Sequence, residues 1–170
     1  MTKDLMGKAE RALASAQLLL ADGDTDGATN RAYYAMFDAA TAALVWKGIV
    51  TAQTLPKTHS GLISSFGLHL IQTGQLPPQL GRSFNHTHEF RLTADYLAEP
   101  VPLEKAQLAI EEATAFVRTS GTKLAISLFK YPLGDRGAER PQAKKESARF
   151  WARSAFFAAG DCQVHGVQIN

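Results

Sequence analysis

The sequence predicts an all-α fold, and two of its features carry that prediction. Apolar residues recur at three- and four-residue steps along most of the first 130 positions, and alanine is abundant. Alternating runs of valine, isoleucine and threonine between turns, which would indicate strands, are nearly absent. With 170 residues, of which 45% are hydrophobic, the chain is long enough to form one domain with a hydrophobic core.

The first two predicted helices are separated by the short polar segment Ala-Asp-Gly-Asp at residues 21–24. The first helix covers about residues 3–21 and carries one apolar face, which is typical of a helix on the outside of a bundle. The second covers about residues 24–47 and ends at Gly48. It is apolar around much of its circumference, so we expect it to be the central helix.

Prolines and glycines divide the rest of the bundle into three further helices. Thr58 or Ser60 can cap the first of these, and Pro77 and Pro78 suit the entry to the next. Two more prolines separate that helix from the last one. The three predicted helices cover about residues 58–73, 78–98 and 102–130.

Residues 132–170 are predicted to form a C-terminal extension to a bundle over residues 1–131. The extension begins with two prolines and two glycines within ten residues, a composition typical of a linker. A short helix near residues 141–159 would then carry basic side chains at every fourth position together with four aromatic residues. Such a helix either packs on its own domain or on a second subunit, or it contacts RNA or a membrane surface.

Charge and the lack of export signals restrict the function classes. The net charge is +2, and residues 1–130 carry twelve basic and twelve acidic side chains, so the bundle has no overall basic character. The single cysteine, Cys162, excludes an internal disulfide and a cysteine-based zinc site. No apolar run approaches the roughly 20 residues that cross a bilayer, and the N-terminus lacks a signal-peptide block. We expect a cytoplasmic protein without a membrane partner.

Neither a metal ion nor a cofactor is predicted. His59 and His69 lie ten residues apart on one side of the third helix, but that helix offers no Asp or Glu to complete a metal site. His59 is better placed to cap the helix or to form a hydrogen bond near its start. The glycine-containing run at residues 61–67 lacks the lysine and the preceding strand of a phosphate-binding loop.

Two rows of polar side chains are the candidate functional residues. Arg31, Tyr34 and Asp38 share one stripe of the central helix. On the fourth helix, His88, Arg91 and Asp95 recur at steps of three and four, and Tyr96 follows.

We expect the arginine–aspartate pairs of the two rows to meet inside the bundle. They would form either a satisfied buried network or the wall of a groove that binds phosphate or nucleotide.

Three segments give the sequence its resemblance to a known family. These are Asn-Arg-Ala-Tyr-Tyr-Ala-Met-Phe at 30–37, Thr-His-Ser-Gly at 58–61 and Arg-Leu-Thr-Ala-Asp-Tyr at 91–96. Over about residues 5–120 the chain resembles the small stand-alone HEPN proteins (higher eukaryotes and prokaryotes nucleotide-binding). The resemblance implies an up-and-down helical bundle that commonly forms a homodimer. It also implies a toxin–antitoxin-like or defence system, binding of nucleotide or RNA, and a partner such as a minimal nucleotidyltransferase.

The resemblance also raises the prospect of catalysis, because many HEPN proteins are metal-independent ribonucleases in which four to six residues separate an arginine from a histidine. Arg82 and His88 have that spacing. The histidine would shuttle the proton of the ribose 2′-hydroxyl, and the arginine would stabilise charge on the phosphorane. On an unbroken helix, however, the two side chains point about 120° apart. His86 aligns better with Arg82, but only three residues separate the two, which breaks the family spacing. Three hypotheses therefore stay open: a nucleotide- or RNA-binding protein, a ribonuclease toxin, and a structural adaptor.

Overall fold

The computed structural model describes residues 1–51, 53–96 and 99–130 of the chain, and every regular element in these ranges is a helix. The predicted all-α fold is confirmed, and the observed helix ends agree with the predicted ones to within about two residues. The described ranges contain five α-helices: α1 Thr2–Ala21, α2 Thr25–Trp46, α3 His59–Phe66, α4 Pro78–Tyr96 and α5 Leu103–Lys130. The predicted extension over residues 132–170 lies outside the described residues.

The central helix is α2, as the sequence predicts. It packs against each of the other four α-helices. Much of its buried surface is alanine, whose small side chain lets neighbouring helices approach closely. The fully or almost fully buried alanines of α2 are Ala28, Ala32, Ala35, Ala39, Ala40, Ala42 and Ala43.

Aromatic rings fill the space between the other helices. Phe66 of α3, Phe84 of α4 and Phe116 of α5 are fully buried, and their ring centroids lie 5.2 to 5.7 Å apart. Tyr33 of α2 stacks on Phe84 at 5.8 Å. Rings of this size bury a large apolar area, so this aromatic core holds α2, α3, α4 and α5 together.

Local signals in the sequence set the helix ends. The Asp24 carboxylate caps α2 by accepting a hydrogen bond of 2.8 Å from the Gly27 backbone N–H. Gly48 has a φ of +70°, a conformation that favours glycine, and follows the end of α2. Thr58, one of the two predicted caps, accepts a hydrogen bond from the Gly61 N–H and begins α3.

A π-helical turn, Gly67–Ile71, continues α3 and is the one regular element of the described residues that the sequence does not predict. The Gln72 N–H donates a hydrogen bond of 3.0 Å to the Gly67 carbonyl five residues earlier, whereas an α-helix joins residues four apart. In the predicted helix over residues 58–73, the backbone therefore changes its hydrogen-bond spacing after Phe66. The described residues contain no helix long and apolar enough to cross a membrane.

The position of Asp38 contradicts the expectation that Arg31 and Asp38 form an ion pair on α2. The Asp38 side chain is buried, but it faces α1, where it accepts a hydrogen bond of 3.1 Å from Lys8 Nζ. Arg31 is exposed to solvent. Arg31 and Asp38 therefore do not form the expected ion pair. Lys8 of α1 pairs with Asp38 instead, and helical spacing on α2 alone could not indicate this contact.

The buried Asp38 carboxyl makes stability depend on pH. Burial raises the pKa of Asp38 above 3.8, against the opposing hydrogen bond and charge of Lys8. The folded state therefore holds the proton more tightly than the unfolded state, and stability is lost as the pH rises through the folded-state pKa. We expect wild-type protein to lose stability relative to Asp38→Asn as the pH is raised above 3.8, as measured by urea denaturation.

The matched control for this comparison is Asp22→Asn, which changes an exposed aspartate at the end of α1. Its stability difference from the wild type is expected to vary less with pH. Parallel pH curves for the wild type and Asp38→Asn would contradict the prediction.

Candidate functional site

Five side chains from three helices form a polar group that we call the histidine cluster. Its members come together where α2, α3 and α4 meet, at the edge of the aromatic core. They are Tyr33, His59, His88, Arg91 and Asp95. Both histidines are half-buried, so the cluster borders solvent.

The first residue of α3 brings His59 into the cluster. Because Thr58 caps the helix, His59 lies in the first turn and turns its ring toward α2. The Tyr33 hydroxyl and His59 Nδ1 form a hydrogen bond of 2.9 Å. Burial of the fully enclosed Tyr33 side chain raises the pKa of its hydroxyl well above the ordinary value. The Tyr33 hydroxyl is therefore neutral at neutral pH, and it holds the His59 ring in one orientation.

His88 of α4 lies beside the same tyrosine. Its ring centroid is 5.2 Å from that of Tyr33 and 6.1 Å from that of His59. The two imidazole rings are nearly parallel, with 21° between their planes. His88 Nδ1 is buried, and within the described ranges it has no hydrogen-bond partner. A buried polar atom without a partner is costly and often marks a functional site.

Arg91 is fixed one turn further along α4. Its Nη2 is 2.5 Å from Asp95 Oδ2, and Asn30 of α2 donates a hydrogen bond of 3.0 Å to the other Asp95 oxygen. The guanidinium carbon lies 5.7 Å from the centroid of the Tyr33 ring. The Arg91 side chain is only 14% exposed, and its buried Nε has no partner in the described part of the chain.

The surroundings of the two histidines favour their neutral forms. Burial lowers the pKa of His59 below 6.5, and the Arg91 charge lowers it further against the opposing charge of Asp95. Burial also lowers the pKa of His88. The neighbouring His59 and the Arg91 charge lower it further, while Glu89 opposes the shift. Both imidazoles are therefore mostly neutral at pH 7, and a neutral imidazole has one ring nitrogen free to accept a proton.

Arg82 lies on a different face of α4 from His88. Arg82 is exposed and lines a shallow depression of about 480 Å³ between α4 and the π-helical turn. His86 lines the same depression, and its Nδ1 pairs with Glu112 Oε1 at 3.2 Å. Within one chain, α4 therefore separates the predicted catalytic residues Arg82 and His88, as the helical angle indicates.

The other predicted residues are not all brought to the cluster. Tyr34 is half-buried at its edge, with its ring centroid 6.0 Å from that of His59. Tyr96 is 76% exposed, and Arg31 also faces solvent. The expectation of two facing arginine–aspartate rows is therefore wrong, since only the α4 pair reaches the α2–α4 contact.

Tyr33 and His59 are the site residues that the polar rows do not include. Tyr33 is in the Ala-Tyr-Tyr-Ala segment, but it lies off the stripe shared by the α2 polar residues. The sequence predicts that His59 forms a hydrogen bond near the start of α3, but it does not identify Tyr33 as the partner. No group of three or more His, Cys, Asp or Glu side chains in the described ranges could hold a metal ion.

The cluster combines three chemical abilities at one place. Two neutral imidazoles can accept or relay protons, and a fixed guanidinium can bind a phosphate oxygen. The half-exposed ring of Tyr34 at its edge offers a face on which a base can stack.

Comparison with known proteins gives consistent matches. A family model described as HEPN domain matches residues 2–123. UPF0332 protein glr0978 of Gloeobacter violaceus is 33% identical over 125 residues, which cover 72% of this chain and 95% of the relative. "Putative toxin MJ0605" of Methanocaldococcus jannaschii is 35% identical over 64% of this chain and 78% of the relative. "Putative toxin MJ0142" of the same organism is 32% identical over 66% and 74%.

Proposed function

The chain belongs to the HEPN family, and on that basis we propose that it is a toxin-like protein that binds RNA at the histidine cluster and cleaves it without a metal ion. The observation that carries this proposal is the pair of nearly parallel imidazoles, 6.1 Å apart, beside the anchored Arg91. The names of the two relatives from Methanocaldococcus jannaschii support the toxin-like assignment.

The chemistry available at the cluster suits transfer of an RNA phosphate. A neutral His88 can remove the proton of a ribose 2′-hydroxyl, which then attacks the adjacent phosphorus. Arg91 can stabilise the negative charge that develops on the phosphate oxygens. Its ion pair with Asp95 already holds the guanidinium in place, so little side-chain freedom is lost on binding.

Binding of RNA or nucleotide without cleavage is the second candidate function. The half-exposed Tyr34 ring favours it, because a base can stack there whether or not the phosphate reacts.

A homodimer and a partner such as a minimal nucleotidyltransferase complete the proposed system. Copurification with the product of a neighbouring gene would test the partner.

Arg91→Ala is expected to weaken RNA binding by at least about tenfold, because a charge-assisted hydrogen bond to phosphate is lost. The measurement is fluorescence anisotropy with a labelled single-stranded oligoribonucleotide at fixed salt concentration. Arg31→Ala is the matched control, since it removes the same charge from the exposed side of α2.

Equal affinity losses in the two arginine variants would contradict binding at the histidine cluster. Unchanged affinity in Arg91→Ala together with a lower melting temperature would instead support the structural adaptor. RNA binding that depends on Arg91, with no cleavage product in the presence of EDTA, would contradict the cleavage function and support binding without cleavage.

A further inference from the structure

We propose that His59 is the second acid–base group of RNA cleavage, and that it protonates the leaving 5′-oxygen while His88 acts as the base. This inference rests on the proposed ribonuclease function. It adds a residue from α3, outside the arginine–histidine spacing on α4 that first indicated catalysis.

The positions of the two rings fit a divided task. In cleavage through a 2′-hydroxyl, the attacking oxygen and the leaving oxygen lie on opposite sides of the phosphorus. Two proton-transfer groups must therefore reach different oxygens of one phosphate. The rings of His59 and His88 come from different helices and lie nearly parallel, 6.1 Å apart, rather than in contact. With that separation, each ring can reach a different oxygen of the same phosphate.

Tyr33 distinguishes the acid from the base. A protonated imidazole carries an N–H on both nitrogens, and each buried N–H needs an acceptor. At its Nδ1, His59 has the Tyr33 hydroxyl oxygen at 2.9 Å, which can accept that hydrogen bond. His88 Nδ1 is buried and has no such acceptor among the described residues. His59 therefore holds a second proton more easily than His88, which suits His59 to the role of the acid.

The step balances without a metal or a cofactor. His88 takes the proton from the 2′-hydroxyl, and the 2′-oxygen forms a bond to phosphorus. The bond between phosphorus and the 5′-oxygen breaks, and that oxygen takes a proton from His59 in the fraction of molecules in which this imidazole is protonated on both nitrogens. The products are a 2′,3′-cyclic phosphate and a free 5′-hydroxyl. Proton exchange with water returns both imidazoles to their starting states.

The test compares two RNA oligonucleotides of identical sequence with purified full-length protein in EDTA. One contains only natural linkages. In the other, sulfur replaces the bridging 5′-oxygen at the linkage that the wild type cleaves fastest. A thiolate leaves with much less need for a proton than an alkoxide, so this substrate bypasses the acid. Circular dichroism and thermal melting confirm that each variant is folded.

His59→Ala is expected to cleave the natural RNA at least about 10²-fold more slowly than the wild type. On the sulfur-containing RNA it should retain nearly the wild-type rate. His88→Ala should lose activity on both substrates, because its role as base precedes departure of the leaving group. Tyr33→Phe should show a weaker form of the His59→Ala pattern, since it removes the acceptor at Nδ1.

Two other results would overturn the inference while leaving ribonuclease function intact. One is a His59→Ala variant that cleaves natural RNA like the wild type. The other is an equal loss on both substrates in a folded variant, which would assign His59 to substrate positioning. Failure of the wild type to cleave either RNA would overturn the proposed cleavage function itself, and this inference with it.

Discussion

His88→Ala is expected to reduce the rate of RNA cleavage by about 10²- to 10⁴-fold, the range that a general base contributes. The reason is the position of His88, whose half-buried ring lies 5.2 Å, centroid to centroid, from that of Tyr33 in the histidine cluster. Alanine removes the only group on α4 that the proposal assigns to the 2′-hydroxyl proton. The measurement is single-turnover cleavage of a labelled oligoribonucleotide in EDTA, with protein in excess.

His69→Ala is the matched control for this variant. His69 is an exposed histidine in the π-helical turn, outside the cluster, so its removal should leave the rate unchanged. Equal rates for His88→Ala and His69→Ala would contradict the assignment. Arg82→Ala adds a separate comparison, because Arg82 faces away from His88 within one chain. A loss as large as that of His88→Ala would mean that Arg82 reaches the phosphate from a second copy.

Phe84→Ala is expected to lower the free energy of unfolding by about 3 to 5 kcal/mol. Phe84 is fully buried, and its ring lies within 6 Å, centroid to centroid, of the rings of Phe66, Phe116 and Tyr33. Alanine would leave a cavity between four helices that their backbones cannot fill without moving. Urea denaturation followed by circular dichroism measures the loss.

The control for packing is Leu68→Ala, because the Leu68 side chain is 53% exposed. We expect its effect to stay within about 0.5 kcal/mol of the wild type. A loss below about 1 kcal/mol in Phe84→Ala would mean that the aromatic core does not hold the helices together as described.

The helices could be predicted because the residues that start and stop them act locally. Proline fixes φ and lacks an N–H, glycine tolerates positive φ, and Thr58 supplies its own cap, so each signal works without the rest of the fold. The π-helical turn could not be predicted in the same way. Gly67–Ile71 contains no residue that distinguishes a π turn from an α turn, and its geometry depends on packing around it.

The candidate site could be predicted only in part, because it depends on contacts between helices. Helical spacing correctly grouped His88, Arg91 and Asp95 on one side of α4. Spacing within α2 could not reveal that Lys8 of α1 approaches Asp38. Nor could it reveal that the start of α3 places His59 against Tyr33, since crossing angles are set by the whole packed bundle.

The alanine surface of α2 makes the bundle more sensitive to larger side chains than to smaller ones. These alanines have almost no side chain left to lose, whereas any added methyl group must push a neighbouring helix outward. Overpacked interiors typically lose about 1 to 3 kcal/mol. Since α2 also carries Tyr33, such a shift would change the spacing of the two imidazoles. Substitutions of these alanines by valine or leucine are therefore expected to disturb the histidine cluster as well as the folding of the bundle.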